Sequence, residues 1–340
     1  GYSMNDYRLI NIDRLTSEMS REKVQQMLST RDSRFTLEQA LYNNAQIFQI
    51  DMEEVFHKEW IFIGMSCEIP NRGDYITVDL GQNPLLIIRD ADGSINAFHN
   101  SCRHRGSRLC SAVKGKVANL VCPYHKWTYD LKGNLLFAGT DVIENFDKSE
   151  YGLNKAHCAV GGGGFIFVSL HQQQPENIQD FIQSMDEYME PYDIENSKVA
   201  AESSILEKAN WKLVLENNRE CYHCANGHPD LIRSLIEYDD INDPRAPQDF
   251  LDYYAEAAAE WDADNIPHER RDHTLRNRMV RMPLKKGTEA MTADGSRACD
   301  KLMGRIKNRR LGSMRILHLP NSWNHMQSDP CAVFLSLINL

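Results

Sequence analysis

The chain has 340 residues, 42% of them apolar and 25% charged, the mix of a globular protein long enough for about two domains. This excludes a disordered tail, a collagen-like fibre and a small disulfide scaffold. The formal charge of −10 repels polyanions, so nucleic acid is not an expected partner; no apolar run reaches the ~18 residues of a spanning helix, so neither is a membrane.

The chain opens Gly1-Tyr2-Ser3-Met4, without the basic-then-apolar pattern of a secretion signal, and Gly1 to Ser3 read as an expression scar. Nine cysteines, an odd count over a long chain, point to a reducing, cytoplasmic setting and to metal binding or packing rather than disulfides. Residues 5–55 read as helical: Leu15, Met19, Val24 and Leu28, then Leu37, Ala40, Leu41 and Ala45, recur at helical spacing. From Ile61 to Leu170 the texture is short β-rich runs, among them Tyr75–Val78, Leu85–Ile88, Ile95–Phe98 and Leu135–Phe137. Gly81-Gln82-Asn83, Asp90–Gly93 and Lys132-Gly133-Asn134 separate them as turns, which predicts a compact antiparallel domain. Gly161 to Gly164 lack the spacing of a phosphate cradle and read as a flexible lead into the strand Phe165–Val168. Beyond Leu170 the pattern is mixed and more helical.

Two constellations carry chemistry. Cys102-Arg103-His104 is followed, seventeen residues on, by Cys122-Pro123-Tyr124-His125, offering two thiolates and two imidazoles from β-loops. Zinc accepts such a Cys₂His₂ set. So does a [2Fe–2S] cluster with two Cys on one iron and two His on the other. Downstream, Asn210 is a candidate N-cap for a helix that places Glu216, Glu220 and His223 on one face. Gly227 and Pro229 end it and allow His228 to bend back toward His223. Two imidazoles and a carboxylate from elsewhere form the facial triad of non-haem iron(II); the same His-x4-His also occurs as a structural pair. Cys221 and Cys224 form a Cys-x-x-Cys without a thioredoxin-like context and read as packing, as do Cys67, Cys110, Cys158, Cys299 and Cys331.

The segments Phe98-His99-Asn100-Ser101-Cys102-Arg103-His104-Arg105-Gly106 and Cys122-Pro123-Tyr124-His125-Lys126-Trp127 resemble the Rieske motif. Together with Glu220-Cys221-Tyr222-His223, they make the chain similar to the α subunits of Rieske non-haem iron oxygenases from about residue 40 onward. The resemblance implies an α+β chain: an N-terminal helical segment (1–45) on the catalytic domain, an antiparallel β Rieske domain (46–170), and a catalytic domain with a helix-lined antiparallel sheet (171–340). It implies a head-to-tail homotrimer with a [2Fe–2S] cluster and a mononuclear iron. Electrons for O₂ come from NAD(P)H through a flavin and iron–sulfur reductase. It also implies that Glu220 bridges His125 of one subunit and His223 of the next. Ring-hydroxylating members mostly carry Asp at the bridge. Glu resembles the branch that demethylates quaternary ammonium compounds such as glycine betaine, stachydrine and carnitine; ring hydroxylation and plain Rieske electron transfer are the alternatives. A charged N-methyl substrate favours aromatic faces, for which Tyr253, Tyr254, Trp261 and Trp323 are candidates, each also readable as core. Arg103, Arg105, Arg108 and Lys126 offer basic charge to an acidic partner, or are solvated surface. No residue matches the family's third iron ligand, a late Asp: no acid follows Asp329, and the chain is expected to be truncated before that position.

Overall fold

The computed structural model describes residues 18–32, 34–139, 145–173, 175, 177–219, 224–227, 229–236, 238, 241–271, 277–292, 294–297, 300–307, 314–318 and 333–337. Among the described residues three short helices come first: α1 (Arg21–Ser29), α2 (Ala40–Asn43) and α3 (Ala45–Asp51), the last running into a π-helical turn, Met52–Phe56. Ser20 caps α1 by accepting the Lys23 N–H at 3.2 Å. Ten strands follow: β1 (Ile61–Met65), β2 (Asp74–Leu80), β3 (Asn83–Arg89), β4 (Ile95–His99), β5 (Lys114–Lys116), β6 (Leu120–Val121), β7 (Thr128–Tyr129), β8 (Leu135–Phe137), β9 (His157–Gly161) and β10 (Phe165–Ser169). Helices α4 (Gln179–Met189), α5 (Trp211–Arg219), α6 (Cys224–Gly227) and α7 (Gln248–Ala263) come next. Strands β11 (Glu269–Arg271), β12 (Asn277–Arg281), β13 (Met314–His318) and β14 (Val333–Leu337) close the order. The chain divides into two compact units, residues 52–186 with 194–202, and residues 1–51 with 187–193 and 203–340. No described helix is long and apolar enough to cross a membrane.

The first unit is built from three antiparallel sheets, in the orders β4-β3-β2-β5, β1-β10-β9 and β6-β7-β8. Strand β3 explains the continuous apolar run read from the sequence. Side chains alternate across a strand. Leu86 and Ile88 face one core with Phe98, Cys102, Cys122 and Tyr129, while Leu85 and Ile87 face another with Ile69, Ile166 and Val168. A strand buried on both faces has no polar side to show. The glycine run lies in the turn between β9 and β10 rather than in a loose lead. Gly164 stands at φ 142°, its carbonyl accepts the Ser66 N–H at 2.7 Å, and a Cβ there would run into Ser66 Oγ.

In the second unit the N-terminal apolar positions do converge: Val24, Leu28, Ala40, Leu41 and Ile47 share one core, with Met19 and Leu37 packed on it. The segment expected to be helical over residues 5–55 holds several short helices between residues 21 and 56, and residues 1–17 lie outside the described set. The later strands form one antiparallel sheet, β11-β12-β13-β14. Helix α7 buries Phe250, Tyr253, Tyr254, Ala257 and Trp261, the stripe that a 3.6-residue period creates.

Helix α5 is tied to the N-terminal segment by side chains of its first two turns. Lys212 Nζ forms a buried ion pair with Asp51 and donates to the Leu41 carbonyl at 3.1 Å. Trp211 Nε1 donates to the same Asp51 carboxylate at 3.0 Å. Removing one member leaves a buried charge unpaired, which costs about 3–5 kcal/mol. We therefore expect Asp51→Ala to destabilise this unit by about that amount in urea titration, and a double apolar replacement of Asp51 and Lys212 to recover most of it. Equal loss in the single and double variants would remove the pair from the stability argument.

Candidate iron–sulfur and iron sites

The cluster loops grow from two strand ends. The first leaves β4 and runs through Cys102 and His104; the second joins β6 to β7 through Cys122 and His125. Asn100, 1% exposed, fastens the first from inside. Its Oδ1 accepts the N–H groups of Leu109 and Cys110 at 3.1 and 3.0 Å, and its Nδ2 donates to the Cys110 carbonyl at 2.7 Å. Both loops then close identically. The residue four beyond each cysteine donates to its carbonyl (Gly106 to Cys102, 2.8 Å; Lys126 to Cys122, 3.1 Å). Each cysteine N–H donates to the residue five beyond, Ser107 or Trp127, at 2.8 Å.

The donor atoms meet as two pairs. Both cysteines are 2% exposed and their thiols contact one another. The two imidazoles are exposed, with their Nδ1 atoms 3.1 Å apart. Burial raises the Cys102 thiol. Burial opposes ionisation of Cys122 too, but the N–H groups of Tyr124 and His125 donate to its sulfur and bring its pKa below the ordinary thiol value. Tyr129 OH lies 3.4 Å from Cys102 Sγ and accepts the Arg103 N–H at 3.1 Å, which leaves its own hydrogen for the sulfur. Desolvation is the first cause, and the Cys102 contact the next, that raises the Tyr129 phenol above its usual value and keeps it a donor. Trp127 stacks on His104 at 5.0 Å and 11°, and Tyr124 lies 3.9 Å from the His125 ring.

The donors fall as two pairs, which bears on the choice between zinc and a diiron cluster. A single zinc needs four donors around one point. Among the described residues, no three His, Cys, Asp or Glu side chains group around a single metal position. Two thiols on the buried side and two imidazoles on the exposed side fit a group with one iron for each pair. The expected ligands Cys102, His104, Cys122 and His125 are thus brought together. Asn100 and Tyr129 also serve this site and were not singled out from the sequence. Only the position of Asn100 in the motif, and of Tyr129 in the strand that follows the second pair, could have flagged them.

In the second unit, Asn210 Oδ1 accepts the Lys212 N–H at 3.0 Å, so Asn210 caps α5. Tyr42 OH donates to both carboxylate oxygens of Glu216 at 3.0 Å. Burial first, and then Glu216, push the Tyr42 phenol up to about 12, so it stays a donor at physiological pH. The described helical residues here are 211–219 and 224–227, and residues 220–223 between them lie outside the described set. Glu220, His223, His228 and Trp323 lie outside the described residues. Tyr254 and Trp261 meet edge to face at 5.9 Å, and His268 packs on Trp261 at 5.7 Å. Tyr253 donates its hydroxyl to the Leu284 carbonyl at 2.8 Å, with Lys286 Nζ 5.9 Å from its ring. All three rings are buried.

Comparison with known proteins agrees with both halves. Residues 59–140 match the Rieske [2Fe–2S] domain and residues 194–337 the ring hydroxylating α subunit catalytic domain. The chain is 55% identical over 317 residues to the glycine betaine monooxygenase oxygenase subunit of Pseudomonas aeruginosa, covering 93% of this chain and 73% of that one. The counterpart from Chromohalobacter salexigens is 52% identical, over 93% of this chain and 70% of its own. A crystal structure of a quaternary ammonium Rieske monooxygenase in complex with L-carnitine superposes with TM-score 0.55 at 30% identity, over 62% of this chain and 60% of that one. Paired thiol and imidazole donors on an antiparallel scaffold, joined to a second catalytic domain, define an iron–sulfur oxygenase. The chain belongs to the α subunits of Rieske non-haem iron oxygenases.

Tyr129→Phe removes the donor to Cys102 Sγ while keeping the ring. The cluster should assemble with its usual spectrum, and its midpoint potential should fall by some tens of millivolts, on the order expected for a lost hydrogen bond to a cluster sulfur. An unchanged potential in redox titration would deny Tyr129 that role.

Proposed function

We propose that the chain hydroxylates an N-methyl group of a small quaternary ammonium compound of the glycine betaine type, releasing formaldehyde. The 55% identity over 93% of the chain to a glycine betaine monooxygenase oxygenase subunit carries this reading. A Rieske cluster held by the first unit would supply electrons one at a time, and a mononuclear iron(II) held by the second would supply dioxygen activation. One O₂, two electrons and two protons convert the N-methyl group to N-hydroxymethyl and water. The C–N bond then breaks with its pair going to nitrogen, giving a tertiary amine, formaldehyde and a proton.

This chain's residues take the following roles in the proposal. Cys102, Cys122, His104 and His125 hold the cluster. His223 and His228 hold the iron, with a third, carboxylate ligand not assigned to any residue here. With its Nδ1 given to the cluster, His125 would keep Nε2–H as a donor for a carboxylate. Glu220 is that acceptor in a head-to-tail homotrimer, and it also orients His223. The cationic head is held by aromatic faces. Tyr253, Tyr254 and Trp261 already pack in the core, so Trp323 is the first ring we propose for this. Electrons come from NAD(P)H through a flavin and iron–sulfur reductase in the cytoplasm.

Supplied with reductase, O₂ and glycine betaine, the enzyme should release one formaldehyde per substrate consumed. Diols or phenols from arenes, with no formaldehyde from any quaternary amine, would instead make it a ring hydroxylase. Iron analysis adds a second test: an oxygenase binds three irons per chain, whereas a Rieske electron carrier binds two. Glu220→Gln should leave the cluster assembled and reducible while coupled turnover drops roughly 10–100-fold. Full turnover in that variant would rule out Glu220 as the bridge.

A further inference from the structure

The first unit holds a pocket that neither the cluster nor any residue of the proposed reaction uses. Its volume is about 690 Å³, within the range of small-molecule sites. It opens between the turn after α3, the start of β3, the end of β4 and the chain leaving β10, and three imidazoles line it, those of His57, His99 and His171. Alternation along β4 separates it from the cluster. Phe98 faces the core that holds Cys102 and Cys122, whereas Ala97 faces the core of Leu85 and Ile166, and His99 stands on the Ala97 side. Leu170, packed against that second core, supplies the apolar lining.

Neighbours fix the ring hydrogens of two of these imidazoles. The Asn83 amide Nδ2 can only donate, and it lies 3.2 Å from His57 Nε2. The Gln173 backbone N–H donates to His171 Nδ1 at 3.0 Å. A ring nitrogen that accepts carries no hydrogen, so the hydrogen sits on Nδ1 of His57 and on Nε2 of His171. Among the described residues neither of these N–H groups has an acceptor. Burial holds the His99 imidazole below its ordinary value and adds a third neutral ring. Two fixed donors without acceptors in one pocket suit an acceptor from outside, and a carboxylate makes the stronger, charge-assisted bond. Lys58, paired with Glu54 and with its side chain 44% exposed, adds positive charge at the rim. Glu53, the one acid of the lining, opposes a second negative charge and so selects a ligand that carries only one.

We propose that this pocket binds a small organic monocarboxylate, whose carboxylate is held by the N–H groups of His57 and His171 and whose apolar part meets Leu170. Binding forms no covalent bond, moves no electron and does not depend on the Rieske reading.

The probe is butyrate, titrated by calorimetry into the full-length, cluster-loaded chain, with butyramide as its uncharged isostere. Wild-type protein should bind butyrate saturably, and butyramide at least roughly ten-fold more weakly. His171→Phe removes the N–H and should weaken butyrate binding by about ten-fold or more. In His171→Gln the amide nitrogen takes the place of Nε2, and affinity should stay within about three-fold of wild type. In unmutated protein, butyrate should slow carbethoxylation of His57 and His171 by diethyl pyrocarbonate, read by peptide mass mapping, and leave histidines outside the pocket unaltered. No saturable binding, equal binding of butyramide, or full affinity in His171→Phe overturns the proposal. So does an equal loss in His171→Gln and His171→Phe, which would make the ring a packing group rather than a donor. Should His171→Phe fail to fold, the chemical footprint decides alone: absence of protection at His57 and His171 overturns the proposal.

Discussion

Two thiolates held side by side repel one another, and burying them makes the repulsion worse. The Rieske half of this chain is organised around that conflict. Cys102 and Cys122 are 2% exposed and in contact. Their negative charge is met by fixed N–H dipoles, from His104 toward Cys102 and from Tyr124 and His125 toward Cys122, with the Tyr129 hydroxyl added at Cys102. A backbone dipole can be aimed at a sulfur only if the loop has one conformation. Asn100 and the paired turn hydrogen bonds fix that conformation, and the double-faced core around β3 holds the strand ends from which the loops start.

The same geometry gives the site a direction. The sulfur side is inside the protein and the imidazole side is outside. Thiolates buried among Leu86, Phe98, Leu120 and Tyr129 are shielded from solvent, whereas neutral imidazoles can bear exposure without adding charge. His104 and His125 thus form the exposed edge of the site. Aromatic rings, Trp127 on His104 and Tyr124 beside His125, fix the imidazole orientations without competing for their nitrogens.

Much of this was legible in the sequence because metal chemistry is sparing with residue types. Two Cys-His pairs at these spacings have few other uses, and the alternation of β-rich runs with Gly, Asn and Asp turns marks the sheets that carry them. What stayed hidden was tertiary. Asn100 looks like any loop asparagine until its side chain is seen spanning Leu109 and Cys110. Tyr129 reads as a strand aromatic until its hydroxyl is found at a sulfur. Tyr253, Tyr254 and Trp261 lie on the buried stripe of α7, the core placement that the sequence left open beside a cation enclosure. The extent of the N-terminal helices was overestimated because apolar period alone does not register breaks at Thr30 and Asn44, where side chains and backbone turn the chain.

The catalytic half faces a different problem, that of holding a functional helix still. Helix α5, described over Trp211–Arg219, is held by more than its own propensity. Its position comes from packing and from the polar anchors at Trp211, Lys212 and Glu216. A buried ion pair is a poor source of net stability, because desolvation offsets most of its attraction. It is a good source of register: Lys212 reaches the Asp51 carboxylate and the Leu41 carbonyl together from one rotation of the helix, and an apolar substitute would accept several. One turn further on, Tyr42 repeats the constraint at Glu216. A helix fixed in rotation at two successive turns keeps one register along its described length. In the proposed mechanism Glu220 and His223 follow this segment in the sequence.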